Sequence, residues 1–185
     1  IIPDEIDRRE IFRDKLIDQK VIFKKSLQES VADAPGISEY NASAVSPELY
    51  EIALESGKYS RFKTDKELPT GSYEKLYRKW IEKSVSKEIA DKVFVFFEDR
   101  RILGLITVKK KNTHGEIGLL GIHPDAQGKG IGSILISAAE NYVISEEGSL
   151  MEVATQYGNS PACRFYEKNG YSVKSIFNYY HIRKT

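Results

Sequence analysis

The sequence predicts a mixed α/β fold, a β-sheet flanked by helices, built as a single domain over residues 1–185. Strand-like and helix-like segments alternate through the second half of the chain, and two helical segments precede them. The chain has 185 residues, of which 41% are hydrophobic and 30% charged, so it can bury a core without a metal or a disulfide. We expect such a sheet to bind its ligand near a strand-to-helix junction.

Charge and cysteine content exclude several classes of function. The formal net charge is only +1, so no overall field attracts nucleic acid or an anionic membrane, and any anion must be bound locally. Cys163 is the only cysteine, which excludes an internal disulfide framework and fits a reducing compartment. The sequence has no Cys/His cluster and no apolar stretch near about 18 residues, so we expect no metal, no membrane span and a cytoplasmic location.

The first half is expected to contain a short strand and two helices. Residues 21–23 favour a strand, whereas the charged residues 1–15 fit a short helix or a loose arm. Ser46-Pro47 is typical of an N-cap followed by the first helical position, and Gly57 of a helix end. The helical spacing of apolar residues predicts a second helix over residues 72–85.

The second half is dominated by strands. Residues 93–97 and 102–108 are rich in β-branched and aromatic residues on either side of a short charged turn, which predicts a hairpin. Three further strands are predicted over residues 117–122, 150–155 and 171–182.

Two helices separate these last three strands. From about Gly132 onward, apolar residues follow an i, i+3, i+4, i+7, i+8, i+11 series, which predicts an amphipathic helix; they are Ile131, Ile134, Leu135, Ala138, Ala139 and Tyr142. The second helix starts at Asn159 or Ser160, one of which is its N-cap, and ends at Gly170.

The segment between the strand at residues 117–122 and the first of these helices carries the clearest chemical signal. It reads Gln127-Gly128-Lys129-Gly130-Ile131-Gly132. Glycines allow positive φ and a close approach of the backbone to a ligand, and a helix start presents unpaired N–H groups and the positive end of a dipole. Together these features predict a phosphate or pyrophosphate site with the charge of Lys129 at its rim.

Two nucleotide-binding motifs do not fit this glycine loop. A P-loop requires glycine at position 123 and Ser or Thr at position 130, where the sequence has His123 and Gly130. A dinucleotide fingerprint requires glycine at position 135, which is Leu135. A glycine-rich turn without a ligand stays open as an interpretation, although three alternate glycines would be costly in backbone entropy.

The loop resembles the Q/R-x-x-G-x-G/A signature of the GCN5-related N-acetyltransferases, or GNAT family, and residues 117–142 resemble that family's strand, loop and helix. The resemblance covers about residues 90–185. It implies the GNAT fold and an N-acetyltransferase that uses acetyl-CoA as donor. It further implies that a loop binds the pyrophosphate of coenzyme A, formed by Gln127, Gly128, Lys129, Gly130, Ile131 and Gly132. The preceding strand would pair with the pantetheine arm through backbone groups of Leu120, Gly121 and Ile122.

A second segment brings an amide, a thiol and a phenol to one helical face, since Asn159, Cys163 and Tyr166 lie at i, i+4 and i+7. From the residues alone, Cys163 and Tyr166 could equally be core residues and Asn159 only a cap. Residues 159–171 resemble the family's N-x-x-A-x-x-x-Y-x-x-x-G-F/Y segment. The resemblance implies that Asn159 contacts the cofactor and that Tyr166 is the catalytic acid that protonates the departing thiolate. Cys163 matches no family nucleophile and is expected to pack.

Several short segments are similar to a narrower group, the TDP-fucosamine acetyltransferases: residues 59–62, 77–82, 153–159 and 177–181. This resemblance implies that the acceptor is the 4-amino group of a nucleotide-linked dideoxy sugar. We expect the N-terminal portion, residues 1–90, to bind it through Tyr59, Arg61 and Phe62, and residues 91–185 to form the acetyl-CoA-binding core. Arg61 could pair with a phosphate bidentately, although a surface Arg61 beside a core Phe62 stays open.

The acceptor and the general base stay open at this point. Another small amine, an amino acid, a polyamine or a peptide N-terminus could be the acceptor, and a non-catalytic acyl-CoA-binding module is a further alternative. In the expected reaction a neutral amine attacks the carbonyl, and a backbone N–H of residues 119–122 stabilises the developing oxyanion. Glu116, His123 or a water chain could serve as base. The expected partner is a small-molecule amine, and a homodimer is a further option.

Overall fold

The structure, a computed structural model, describes residues 16–30 and 36–180. The expectation for residues 1–15 and the part of the last predicted strand beyond residue 180 lie outside the described residues. Within them the strands are β1 (Leu16–Ser26), β2 (Ile37–Glu39), β3 (Lys92–Glu98), β4 (Arg101–Lys111), β5 (His114–Ile122), β6 (Leu150–Gln156) and β7 (Ser172–Tyr180).

Two helices begin at capping residues that the sequence predicts. Ser46 accepts a hydrogen bond from the N–H of Leu49 at 3.4 Å, and Asn159 accepts one from the N–H of Ala162 at 3.2 Å. Both predicted caps are thereby confirmed, with Asn159 rather than Ser160 at the second site. The helices of the described residues are α1 (Pro47–Ser56), α2 (Arg61–Thr64), α3 (Ser72–Val85), α4 (Ile131–Ser145) and α5 (Ser160–Lys168).

The strands form one mixed sheet with the order β2-β3-β4-β5-β6-β1-β7. Neighbouring strands are antiparallel except for β5 and β6, which are parallel. The first described strand, β1, lies inside the sheet between β6 and β7. The predicted mixed α/β fold with a flanked sheet is therefore confirmed, while the interior position of β1 is not something that the sequence pattern indicated.

Different helices cover the two faces of the sheet. On the α4–α5 face the core includes Phe23, Ile106, Leu135, Met151 and Tyr166. On the α1–α3 face it includes Leu49, Ile52, Tyr77, Ile81 and Leu119. Because side chains alternate along a strand, β1 contributes Val21 and Phe23 to the first face, and Asp18 and Lys20 point to the second.

Several elements differ in length from the predictions. β1 spans 11 residues where only residues 21–23 were expected, because its polar positions face a cleft and lower the apolar signal. Strand β2 and the single-turn helix α2 were not expected, since each is too short to show a period. The predicted hairpin is confirmed, with Asp99 and Arg100 at positive φ in the turn between β3 and β4.

Strand β7 is the sheet edge beyond β1, and it exposes Val173, Ile176 and Phe177 to about half of their surface, 48%, 47% and 50%. An edge strand with exposed apolar side chains is a common place for association, but the homodimer stays a prediction. Over the described ranges, no helix combines the length and the apolar character that crossing a membrane requires.

Candidate active site

Strands β5 and β6 are paired for only part of their length. Their parallel pairing ends at Ile117 and Val153, whereas β5 continues to Ile122 and β6 to Gln156. The strands therefore diverge and leave a gap in the middle of the sheet. A cavity of about 250 Å³ lies there, lined by residues from both faces of the sheet.

Two backbone positions of β5 face this gap. The N–H of Leu119 donates to Thr107 Oγ1 at 2.9 Å, and the N–H of His123 donates to a carbonyl of β4. Because backbone groups alternate in direction along a strand, Leu120 and Ile122 direct theirs away from β4 and into the gap. Leu119 is thus occupied, and Leu120 is the first residue whose N–H could reach an oxyanion in the cavity.

Gly121 has a different role from the one that the resemblance implied. Its backbone groups have the direction of those of Leu119 and His123, toward β4, because backbone groups alternate along a strand, so they lie within the sheet rather than in the gap. A Cβ at this position would be 2.5 Å from the carbonyl oxygen of Ile52. Gly121 therefore lets α1 pack closely on β5, and the geometry does not support it as a group that pairs with pantetheine.

The glycine loop follows the end of β5 and leads into α4. Gly128 and Gly130 have φ values of 79° and 82°, and a Cβ at either position would meet nothing within 4 Å. Gly130 is the N-cap of α4 and no side chain caps this helix. The open space, the positive φ and the uncapped N–H groups of the first helical turn together form a surface that fits a pyrophosphate.

The other loop residues are held by the protein itself. The side-chain amide of Gln127 donates to Glu55 at 3.0 Å and to the carbonyl of Ile122 at 3.3 Å, which ties the loop to α1 and β5. The side chain of Ile131 is buried in the core of the α4–α5 face. Gly132 is needed for packing, because a Cβ there would lie 3.0 Å from the ring of Phe165. Lys129 is exposed at the loop.

Asn159 and Tyr166 both line the cavity at the gap. Asn159 is buried and fixed by its capping hydrogen bond to the N–H of Ala162. The Tyr166 ring is 6% exposed and packs against Phe23, with ring centroids 5.6 Å apart. Burial raises the pKa of Tyr166 well above its usual range, so its hydroxyl stays protonated near neutral pH.

A buried polar cluster supports Tyr166 from behind. The ring of Tyr171 lies 5.8 Å from that of Tyr166. The hydroxyl of Tyr171 donates to Glu140 at 2.8 Å, and Lys25 pairs with the same carboxylate at 2.7 Å. The cluster joins β1, α4 and the start of β7, so it fixes the wall against which the Tyr166 ring rests.

Cys163 lies on α5 one turn from Tyr166, half-buried, with its sulfur 3.8 Å from the carbonyl oxygens of Gln156 and Tyr157. Burial raises the pKa of the Cys163 thiol, followed by the negative charge of Glu167. A thiol with a raised pKa is a poor nucleophile. Its position agrees with the expected packing role.

On the α1–α3 face the cavity wall includes two of the three predicted acceptor residues. Arg61 and Phe62 line the cavity, and the guanidinium of Arg61 lies over the Tyr179 ring at 4.3 Å. Tyr59 instead lies at the surface, 41% exposed, beside the ammonium of Lys58. The structure therefore brings Arg61 and Phe62 to the cleft but does not bring Tyr59 there.

The sequence analysis did not single out several residues that line the cavity, among them Asp18, Trp80 and Tyr179. Asp18 is the least expected, because it is on β1, far from the motifs in sequence. Burial raises the pKa of Asp18, opposed by a hydrogen bond from the backbone of Gln19 and by the charge of Arg61. The only available sequence signal was the alternation of polar and apolar residues around Val21.

Neither candidate base named from the sequence is well placed for the role. Burial acts to raise the pKa of Glu116, but the hydrogen bond and charge of Lys111 outweigh it, and the net result is a lowered pKa. Its carboxylate lies 2.6 Å from the Lys111 ammonium. His123 Nδ1 accepts a hydrogen bond from the N–H of Asp125 in the turn after β5. Asp18, in contrast, borders the cavity itself.

No cluster of three or more His, Cys, Asp or Glu side chains suited to a metal occurs in the part of the chain that the structure describes. The residues at the gap are instead backbone donors, a phenol, an amide, a carboxylate and an arginine. This set brings hydrogen-bond donors, a carboxylate and a cation together at one gap in the sheet.

The split sheet and the glycine loop at the start of α4 define the class of protein, an α/β protein with the architecture of an acyl-CoA acyltransferase. Residues 47–171 match the model of the acetyltransferase (GNAT) family, and the chain belongs to this family.

Two relatives of this chain have names that refer to saccharides. The chain is 29% identical over 131 residues to a dTDP-fucosamine acetyltransferase of Escherichia coli O6:H1, a match that covers 70% of this chain and 55% of the relative. It is 22% identical over 134 residues to the spore coat polysaccharide biosynthesis protein SpsD of Bacillus subtilis, covering 72% of this chain and 46% of that protein. The chain thus spans about half the length of these relatives.

A solved structure shares the fold. It is a Bacillus subtilis acetyltransferase in complex with CoA, with a TM-score of 0.55 and 16% sequence identity, covering 75% of this chain and 77% of that chain. The predicted GNAT fold is thereby confirmed.

Proposed function

We propose that this protein transfers an acetyl group from acetyl-CoA to a primary amine. The observation that carries the proposal is the gap between β5 and β6, which opens toward the end of β5 that precedes the glycine loop and holds a cavity lined from both faces of the sheet. The chain's own residues fit coenzyme A, since Gly128 and Gly130 have open space above them and Leu120 and Ile122 face the gap. The roles of these residues and of Asn159 as cofactor-binding groups are part of this proposal.

When bound, acetyl-CoA supplies a thioester whose carbonyl carbon is attacked by the amine as the carbon–sulfur bond breaks. The N–H of Leu120 would donate to the carbonyl oxygen as negative charge develops there. The hydroxyl of Tyr166 would protonate the departing sulfur. Asp18 would receive the acceptor as an ammonium ion and take up its proton, directly or through water, since its carboxylate borders the cavity and burial raises its pKa.

The acceptor that we propose is an amino sugar linked to a nucleotide, as the name of the dTDP-fucosamine acetyltransferase suggests. Aromatic side chains of Phe62, Trp80 and Tyr179 line the acceptor side of the cavity and offer flat apolar surfaces to a sugar ring. Arg61 adds a guanidinium that is already oriented by its contact with Tyr179. These features favour a nucleotide-linked amino sugar over a flexible polyamine as the acceptor.

The test is a screen of amine acceptors with acetyl-CoA, in which release of free CoA is measured. The panel contains dTDP-4-amino-4,6-dideoxygalactose, the same amino sugar without its nucleotide, spermidine, an amino acid and a short peptide. We expect turnover with the nucleotide sugar and kcat/KM at least about 10-fold lower without the nucleotide. Preference for spermidine or an amino acid would refute the sugar acceptor but not the acetyltransferase activity, and no turnover with any amine would favour a non-catalytic module.

A further inference from the structure

The acceptor cavity continues along the α1–α3 face of the sheet. A second cavity of about 410 Å³ and a third of about 140 Å³ adjoin the first, and all three share Ile117 and Ala154 in their walls. Trp80 separates the first from the second. The space is therefore a cleft, long enough for an acceptor that extends well beyond its amino group.

Lys20 is the charged side chain that borders all three cavities. It lies on β1 opposite Gln156 of β6, near the end of β6 where the gap is open. It is half-buried and shares its face of β1 with Asp18. An acceptor whose amine is held near Asp18 would extend past Lys20 to reach either adjoining cavity.

The other ions of the two adjoining cavities have partners. Lys109 pairs with Asp91 at 2.9 Å, Glu116 with Lys111 at 2.6 Å and Glu152 with Lys174 at 2.5 Å. Arg61 lies over two aromatic rings and feels the charge of Asp18. Within residues 16–30 and 36–180, no ion pair, hydrogen bond or aromatic contact is found for the Lys20 ammonium.

We propose that Lys20 determines acceptor specificity by binding an anionic group of the acceptor, a phosphate of its diphosphate. This rests on the proposed acetyltransferase function and names what the extended cleft recognises. A half-buried ammonium without a counter-ion gains a partner when a phosphate enters, whereas it repels a second ammonium. Lys20 would thus favour a phosphate-bearing amine and disfavour a polyamine.

Lys24 is a matched control for this proposal. It is on the same strand and the same face as Lys20, but it is exposed and lines none of the three cavities. We therefore compare Lys20→Gln with Lys24→Gln, which remove the same charge from β1. Lys20→Arg keeps the charge, and thermal unfolding of each variant shows whether it remains folded.

The first measurement is calorimetric binding of dTDP in the presence of CoA, which requires no turnover. We expect Lys20→Gln to weaken dTDP binding about 10-fold, Lys24→Gln to change it less than twofold, and Lys20→Arg to stay close to the wild type. The absence of dTDP binding by the wild type, or equal losses in Lys20→Gln and Lys24→Gln, would overturn the proposal.

The second measurement is steady-state kinetics with the nucleotide-linked amino sugar. KM for this acceptor should rise about 10-fold in Lys20→Gln while kcat and KM for acetyl-CoA stay unchanged. Turnover by the wild type with an unaltered KM in Lys20→Gln would overturn the role of Lys20 and leave the acetyltransferase intact. A wild type that acetylates only phosphate-free amines would instead refute the nucleotide-sugar acceptor, and the dTDP titration would still decide for or against Lys20.

Discussion

The two sides of the split sheet are built in different ways. The side proposed to hold coenzyme A comes mainly from one continuous segment, residues 117–142, and it presents backbone groups and glycines. The acceptor side is assembled from β1, α2, α3, β6 and β7, and it presents side chains such as Asp18, Arg61 and Trp80. One side is therefore fixed by local backbone geometry and the other by the long-range fold.

The two sides of the sheet differ in the substitutions that they can tolerate. A site made of backbone N–H groups and positive φ tolerates few substitutions, because most side chains are strained in that conformation. A site made of side chains on separate elements can change its ligand by single substitutions that leave the sheet intact. A common donor with a variable acceptor is the expected outcome of such a division.

The largest effect is expected at Gly130. Gly130→Asp places a carboxylate in the open space where the pyrophosphate is proposed to lie, and it strains a residue with φ of 82°. We expect the affinity for acetyl-CoA, measured by calorimetry, to fall by about 100-fold or more.

Gly71 provides the control for this variant. It too is the N-cap of a helix, with φ 80° and ψ −1° against 82° and −5° for Gly130, and a Cβ there would also meet nothing within 4 Å. Gly71→Asp therefore imposes the same backbone strain at the start of α3, outside the glycine loop, and CoA binding should survive. Equal losses in both variants would mean that strain, and not the anion site, explains the result.

The next effect concerns the proton donor, where the two sides meet. Tyr166→Phe keeps the buried ring and removes only the hydroxyl, so kcat should fall about 10²-fold with little change in KM for acetyl-CoA. Because burial raises the pKa of Tyr166, the hydroxyl is protonated on both sides of neutrality. The wild-type kcat should therefore show no alkaline decline from this group up to about pH 9.

Tyr171→Phe is the matched control, because it removes a neighbouring buried hydroxyl that is bonded to Glu140 rather than facing the cavity. It should lower the free energy of unfolding by about 1–3 kcal/mol and leave kcat within about twofold. An unchanged kcat in Tyr166→Phe, with chemistry shown to limit the rate, would assign the proton to water or another group.

The side proposed for the cofactor could be predicted from the sequence because its signals are local. The spacing of Gly128 and Gly130 after an apolar strand indicated an open loop at a helix start, and the structure has both at positive φ. The face shared by Asn159 and Tyr166 followed from the 3.6-residue period of a helix. One finer point has no local signal: the direction of the Gly121 backbone follows from which residues of β5 bond to β4, and no local pattern reveals this.

The acceptor side could be predicted only in part, because its residues meet through the sheet order. Asp18 and Lys20 reach the cleft because β1 lies between β6 and β7, and strand order is not encoded in the period of a strand. Arg61 and Phe62 were found through a resemblance, and the same resemblance suggested Tyr59, which lies at the surface. Tyr179 belongs to the last strand, 118 residues after Arg61 in sequence, and only the fold brings them together.

The smallest of these effects is expected at Arg61, on the acceptor side of the sheet. Arg61→Ala removes the guanidinium that lies 4.3 Å from the Tyr179 ring centroid on the acceptor side. A charge-assisted contact to a phosphate contributes about 1.5–3 kcal/mol. Asp18 already offsets part of the charge of Arg61. We therefore expect KM for the nucleotide sugar to rise about 10-fold, while acetyl-CoA binding stays unchanged.

Arg78→Ala is the control for this variant. Arg78 also lies over a ring, that of Tyr50 at 4.8 Å, but it lines none of the three cavities of the cleft. If Arg61→Ala weakened acetyl-CoA binding as much as acceptor binding, the two sides of the sheet would not be separate sites. The division between a donor side made of backbone groups and an acceptor side made of side chains would then be wrong.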